Sequence, residues 1–170
     1  VRACLTRLQE KGLTLNRKKC VFFQSSMEFF GNVFSEDGVC PDPRKIAAVC
    51  NAQRPTDKRQ VLSLLGMANY VQRYIPDFAS IVKPLRELTK QNTNFEWSDG
   101  CEKAWTELKQ KLTSHSVMAY FDPNLATELL VDASPYGLGA ILAQVHTHQD
   151  GSKQTRVVAY ASKTLDEVET

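Results

Sequence analysis

At about His115 the apolar residues change their period, and that change limits the fold more than any other feature of the chain. Before it, apolar positions recur every three or four residues, as on helices with one buried face. After it they run together or alternate, as on strands. A mainly helical first part leading into an antiparallel β-meander makes the expected class α+β.

Local signals place the elements. Arg2 to Lys11 reads as a helix closed by Gly12. Lys19–Phe23 and Glu28–Phe34 read as two strands of a hairpin, split at Ser25-Ser26. Asp42 suits a cap and Pro43 a first helical position, with Ile46, Val49 and Cys50 on the apolar stripe. Thr56 is placed to cap the next helix, Lys58 to about Tyr74, with Val61, Leu64, Leu65, Ala68 and Val71 facing inward. Pro76 breaks it, and a shorter helix runs from Asp77 to Leu88. Lys90–Glu96 is the candidate linker. Ser98 caps a helix with Cys101, Ala104, Trp105, Leu108 and Leu112 on one face. Strands are expected at Val117–Phe121, Glu128–Ala133, Leu138–His146 and Thr155–Ser162, with Asp150-Gly151 turning between the last two.

Within the stretch LLVDASPYGLGAIL, Leu129, Leu130 and Val131 cover both faces of a strand, the pattern of a central, doubly buried element. Ser134-Pro135-Tyr136-Gly137 has the residues of a type I turn. Asp132 stands out, because an ionised carboxylate in such a strand is costly unless a positive or hydrogen-bonding group meets it.

Of the 170 residues, 42% are hydrophobic and 24% charged, and no run approaches the ~20 apolar residues that span a bilayer. Five spread cysteines without a CxxC pair argue against a disulfide framework or a zinc ribbon and for a reducing compartment, cytoplasmic or nuclear. Both ends read as continuing into a longer protein. Residues 1–60 hold eleven Lys/Arg against six Asp/Glu, a balance suited to phosphates. Gly137 and Gly139 lack the Gly-Lys-Ser/Thr sequel of a phosphate loop. His146 and His148 share a strand face without a third ligand, so a hairpin tip is the simpler account. Trp97 and Trp105 read as packing.

Several segments, in order, resemble the polymerase–ribonuclease H region of gypsy-type long-terminal-repeat retrotransposons. KGLTLNRKKCVFF resembles the end of a reverse-transcriptase palm, and MEFFGNVFSEDGVCPDPRKIAAV a primer-gripping hairpin with the start of the thumb. LLGMANYVQRYIPDFASIVKPLRELTK resembles thumb and connection, and FEWSDGCEKAWTELKQKL the lead into ribonuclease H. LLVDASPYGLGAILAQ and VVAYASKTL resemble that nuclease's first strands. Val71 and Ser116 depart from the family, which has tyrosine and proline there.

The resemblance implies a palm end with a primer-grip-like hairpin in residues 1–40, thumb and connection helices in 41–94, and an incomplete ribonuclease H-like domain in 95–170. It makes Asp132 a catalytic carboxylate and ligand of Mg²⁺ in the complete parent enzyme. It puts Phe29, Phe30 and Gly31, with Arg17, Lys18, Lys19, Lys58 and Arg59, beside an RNA–DNA hybrid or template–primer duplex. The polymerase aspartates and the remaining nuclease carboxylates lie outside these residues in the family, and Glu167 and Glu169 do not replace the latter. The chain by itself is therefore expected to lack complete active sites. Its other partner is the rest of the polyprotein, within a virus-like particle, with no membrane and no small-molecule cofactor. The alternatives are a host-retained, noncatalytic nucleic-acid-binding or interaction module, or a decayed pseudogene product.

Overall fold

A computed structural model describes residues 1–114, 117–134, 137–147 and 150–165. Helix α1 (Arg2–Glu10) and a 3₁₀ turn (Arg17–Lys19) precede strands β1 (Ser26–Phe29), β2 (Asn32–Ser35) and β3 (Gly38–Pro41). Helices α2 (Pro43–Cys50), α3 (Lys58–Val71), α4 (Phe78–Glu87) and α5 (Asp99–Thr113) follow, then β4 (Thr127–Ser134), β5 (Gly137–Thr147) and β6 (Lys153–Thr164). The strands form two antiparallel sheets, ordered β1-β2-β3 and β4-β5-β6, with helices α2 to α5 between them in sequence. The class is α+β, as the sequence implies.

Local chemistry explains most helix ends. Gly12, at φ +69°, closes α1 with a bond from its own N–H to Gln9 O and from Leu13 N–H to Leu8 O, the paired bonds of a Schellman motif. Asp42 accepts from Arg44 N at 2.8 Å to start α2. Ser98 Oγ accepts from Cys101 N to start α5. At α3 the cap is Asp57 rather than Thr56: its Oδ1 accepts from Gln60 N at 2.8 Å. Gln60 reaches back, accepting from Thr56 N and donating to Thr56 Oγ1, so the threonine closes a reciprocal box one position earlier.

The core lies in the helical layer. Val61, Ala68 and Val71 of α3, Phe78, Val82 and Leu85 of α4, and Leu108 and Leu112 of α5 are buried together with Trp105. Trp105 packs there as expected, with Lys109 Nζ 4.0 Å from its ring centroid. The β4–β6 sheet docks on α4: Ala79 N donates to Ser162 Oγ, and Arg86 Nη1 to Thr164 Oγ1, both at 3.0 Å. A register shift between Leu142 and Ala143 marks a bulge, beside which Ala143 and Val158 are buried. Gln144, fully buried, is saturated by Asp122 N, Asp122 O and Thr127 Oγ1.

Three further expectations are corrected. Lys19–Phe23 is not a strand: its start lies in the 3₁₀ turn, and the hairpin forms within Ser26–Ser35, where Phe29 pairs with Asn32 across Phe30-Gly31. Val117–Phe121 contributes one bridge, Met118 with Val39, in place of a strand. Leu129, Leu130 and Val131 are not doubly buried, because among the described residues β4 is a sheet edge, with β5 on one side only, and every residue of it is exposed. Pro135, Tyr136, Ser116, His148, Glu167 and Glu169 lie outside the described residues, although Ser134 and Gly137 are paired as the turn requires.

Candidate nucleic-acid interface

The β1–β2 turn has only two central residues, and a type I′ loop, one of the two kinds that follow the strand twist, needs positive φ at both. Phe30 and Gly31 supply φ +45° and +66°. Glycine adopts this freely and phenylalanine does so under strain, which the surrounding contacts must hold. A Cβ on Gly31 would lie 2.3 Å from Tyr70 Oη, so the turn backbone rests directly on α3.

Three further hydrogen bonds fix the turn. Tyr74 Oη donates to Asn32 Oδ1 at 2.7 Å, Asn32 Nδ2 to Phe30 O at 3.1 Å, and Asp42 N to Gly31 O at 2.9 Å. Arg44 Nε donates to both Asp42 carboxylate oxygens at 3.0 Å, while its Nη2 bonds Asp42 Oδ2 and Glu28 Oε2. The Arg44 hydrogen bonds hold the Asp42 carboxyl below the usual carboxylate range, with a smaller contribution from the charge of Lys45. With its backbone clamped, the tip presents Phe29 and Phe30 edge to face at 4.4 Å, 55% and 79% exposed.

Beside the tip runs the solvent face of α3. Arg59, Leu62, Gly66 and Tyr70 follow one another at spacings of three and four, so they form one exposed stripe. Nothing lies within 4 Å of a Cβ placed on Gly66, which leaves the stripe flat and open at its middle. Lys45 Nζ sits 5.5 Å from the Tyr70 ring centroid, and the Arg73 guanidinium 5.5 Å from that of Tyr74. Sequence reasoning missed Lys45, Gly66, Tyr70 and Arg73. The available signal was Leu62 and Tyr70, large residues on the polar side of an otherwise amphipathic helix.

The predicted cations divide. Arg17, Lys18 and Lys19 are exposed on the 3₁₀ turn that Asn16 caps. Arg59 lies on the α3 stripe. Lys58 instead holds the linker, donating through Nζ to Lys90 O at 2.6 Å and Gln91 O at 3.4 Å. Trp97 also has a structural setting, donating through Nε1 to Glu102 Oε2 at 2.7 Å.

Asp132 lies across from Gly139, which in turn pairs with Ser162. Directly paired residues share a face, so Asp132 is on the α4-facing side. There it lines an open cleft of ≈ 480 Å³ with Pro76, Asp77, Ser80 and Tyr160. Among the described residues no group of three or more His, Cys, Asp or Glu comes together to hold a metal ion. Mg²⁺ takes six oxygen ligands in near-octahedral geometry, and these residues do not fit it unaided.

Residues 97–170 match a family described as an RNase H-like domain found in reverse transcriptase. Over 158 residues the chain is 33% identical to the retrovirus-related Pol polyprotein from transposon 412 of Drosophila melanogaster, covering 92% of this chain and 12% of that protein. Over 163 residues it is 32% identical to the transposon Tf2-3 polyprotein of Schizosaccharomyces pombe, covering 96% and 12%. The chain thus spans about 12% of the length of these relatives. Among solved structures, its fold is similar to the foamy viral protease-reverse transcriptase in complex with RNA/DNA hybrid, with TM-score 0.71, 21% identity, and 89% and 20% of the two chains covered. For the same protein in complex with dsDNA the TM-score is 0.76, at 22% identity over 98% and 34%.

Proposed function

We propose that the chain is part of the reverse-transcriptase region of an LTR-retrotransposon or retroviral Pol polyprotein, with the RNase H-like domain that its residues 97–170 match, and that it cradles a template–primer duplex or RNA–DNA hybrid. The observation that carries the reading is the clamped hairpin tip. Phe29 and Phe30 stand exposed on a backbone fixed to α3, next to a flat stripe edged by Arg59, Lys45 and Arg73. Rigid aromatic surface can pack on sugars and bases, and the surrounding cations attract phosphates without reading sequence. The foamy viral neighbours were solved with RNA/DNA hybrid and dsDNA, which supports the same chemistry here.

Asp132 is, in this reading, one carboxylate of a Mg²⁺-dependent nuclease site whose other ligands come from elsewhere in the polyprotein. No catalytic step follows from Asp132 by itself. The parent acts as an RNA-directed DNA polymerase and ribonuclease H, in the cytoplasm or nucleus.

Titration of a labelled hybrid by fluorescence anisotropy tests the binding. Affinity should fall steeply with salt and vary little with sequence. Phe30→Ala should weaken it about 5- to 150-fold, the range of 1–3 kcal/mol for one lost stacking contact. Charge reversal at Arg17, Lys18 and Lys19 should weaken it more than reversal at Lys103 and Lys111 on α5. Equal losses from the two patches would end the proposed path.

A further inference from the structure

A short hairpin is marginal by itself, so the direction in which the aromatic tip points is set by what holds it. Arg44 is the hub of that hold. Its guanidinium is locked on Asp42, whose side chain is 6% exposed and whose backbone N–H holds Gly31 O, and from there it reaches Glu28 on β1. The same three residues therefore grip the turn backbone at one end and the strand leading into it at the other.

We infer that Arg44 is a positioning residue: through Asp42 and Glu28 it fixes the pitch of the Phe29–Phe30 tip against α3, and it acts on nucleic-acid binding by this route rather than by touching phosphate. The inference rests on the binding reading above. Glu28 supplies its logic. A carboxylate beside a polyanion is unfavourable if charge attraction is all that the surface serves. Pairing with two carboxylates also neutralises the positive charge that Arg44 would otherwise offer to phosphate. Glu28 and Arg44 are 58% and 71% exposed, so their ion pair adds little to folding stability. Its effect is to hold one tip geometry, which spares the duplex part of the ordering cost on binding.

Glu28→Gln separates the two roles by sign. Loss of a negative charge strengthens binding if the site works by attraction alone. If Glu28 positions the tip, affinity for an RNA–DNA hybrid falls about three- to fivefold, the scale of one exposed ion pair. Arg44→Gln should weaken binding as well, while the slope of log K against log salt stays unchanged. A lost phosphate contact would reduce that slope by about 0.9. The tip itself is read without nucleic acid, by ¹⁹F NMR of the full chain with Phe30 replaced by 4-fluorophenylalanine: the line should shift or broaden in Glu28→Gln. Equal or tighter binding by Glu28→Gln, a smaller salt slope in Arg44→Gln, or an unmoved ¹⁹F line each overturns the positioning role. Absence of hybrid binding by the unaltered chain overturns the preceding reading instead, and the ¹⁹F result tells the two failures apart.

Discussion

In α4, Phe78, Val82 and Leu85 keep none of their surface in water, whereas in β4 Leu129, Leu130 and Val131 keep 65%, 53% and 73% of theirs. The helices enclose one another and are covered further by the β4–β6 sheet. β4 has β5 along one edge and nothing along the other within the described residues. The N-terminal segment resembles β4: Val21, Phe22, Phe23 and Met27 are all exposed. Apolar residues in this chain thus fall into two populations. One stabilises the fold, and the other is surface until something outside these residues covers it.

The sharpest test of that division is a pair of truncations. Leu85→Ala should cost about 2–5 kcal/mol, because transfer free energy is lost and a cavity is left. Val131→Ala should stay within about 0.5 kcal/mol, as exposed substitutions do. Urea unfolding of the two variants decides it, and similar losses would mean that β4 is covered after all.

Glycines provide the next comparison. Gly31→Ala should destabilise by about 1–2 kcal/mol from the left-handed backbone, with a further loss from the clash with Tyr70 Oη. Pairing it with Tyr70→Ala should restore part of the deficit in a double-mutant cycle. Gly66→Ala should do the reverse and stabilise by about 0.5–1 kcal/mol, since α3 has open space there and glycine is a poor helix former. The same variant should weaken hybrid binding by roughening the stripe. A Gly66→Ala chain that is both more stable and equally adhesive would remove α3 from the interface.

The tip should also differ from the helical core in its response to acid. Asp42 is held below its ordinary value of 3.8, first by the Arg44 side chain, then by the Arg44 N–H. A depressed carboxylate stabilises the fold fully above its unfolded pKa, and that contribution is lost as pH falls through the lower folded value. The melting temperature should therefore drop on acidification below about pH 4, and Asp42→Asn should flatten that drop. An Asn variant with the same acid profile would exclude Asp42 as its source.

The smallest effect belongs to Asp132. Asp132→Asn, on an exposed strand, should move stability by less than about 0.5 kcal/mol. Millimolar Mg²⁺ should leave the melting temperature of both chains unchanged, because one carboxylate makes a weak site. A large Mg²⁺-dependent shift, lost in the Asn variant, would reveal ligands that these residues do not bring together.

Much of the helical layer was legible because its signals are local. The inward stripe of α3 from Val61 to Val71, the Asp42-Pro43 start of α2, the Ser98 cap and the Gly12 stop each act within a few residues. The candidate interface was legible only in part. Phe29, Phe30 and Gly31 stood out by type, and the tip they form is held by Tyr70, Tyr74, Asp42 and Arg44, which lie up to 42 positions away from their partners. Lys58 and Arg59 look alike in sequence, yet one bonds linker carbonyls and the other faces solvent.

What the sequence determined by itself was therefore the class, the helices with most of their caps, and the presence of a strand with two apolar faces around Asp132. Period, capping chemistry and proline geometry act over one or two turns of chain, so they need no partner to be read. Tertiary structure alone decided where the first hairpin turns, which lysine is taken up by carbonyls, and that β4 lies at an open edge. Those outcomes depend on which distant surface arrives to cover a residue. An apolar pattern states that a face is fit for burial, and only packing shows whether this chain supplies the cover.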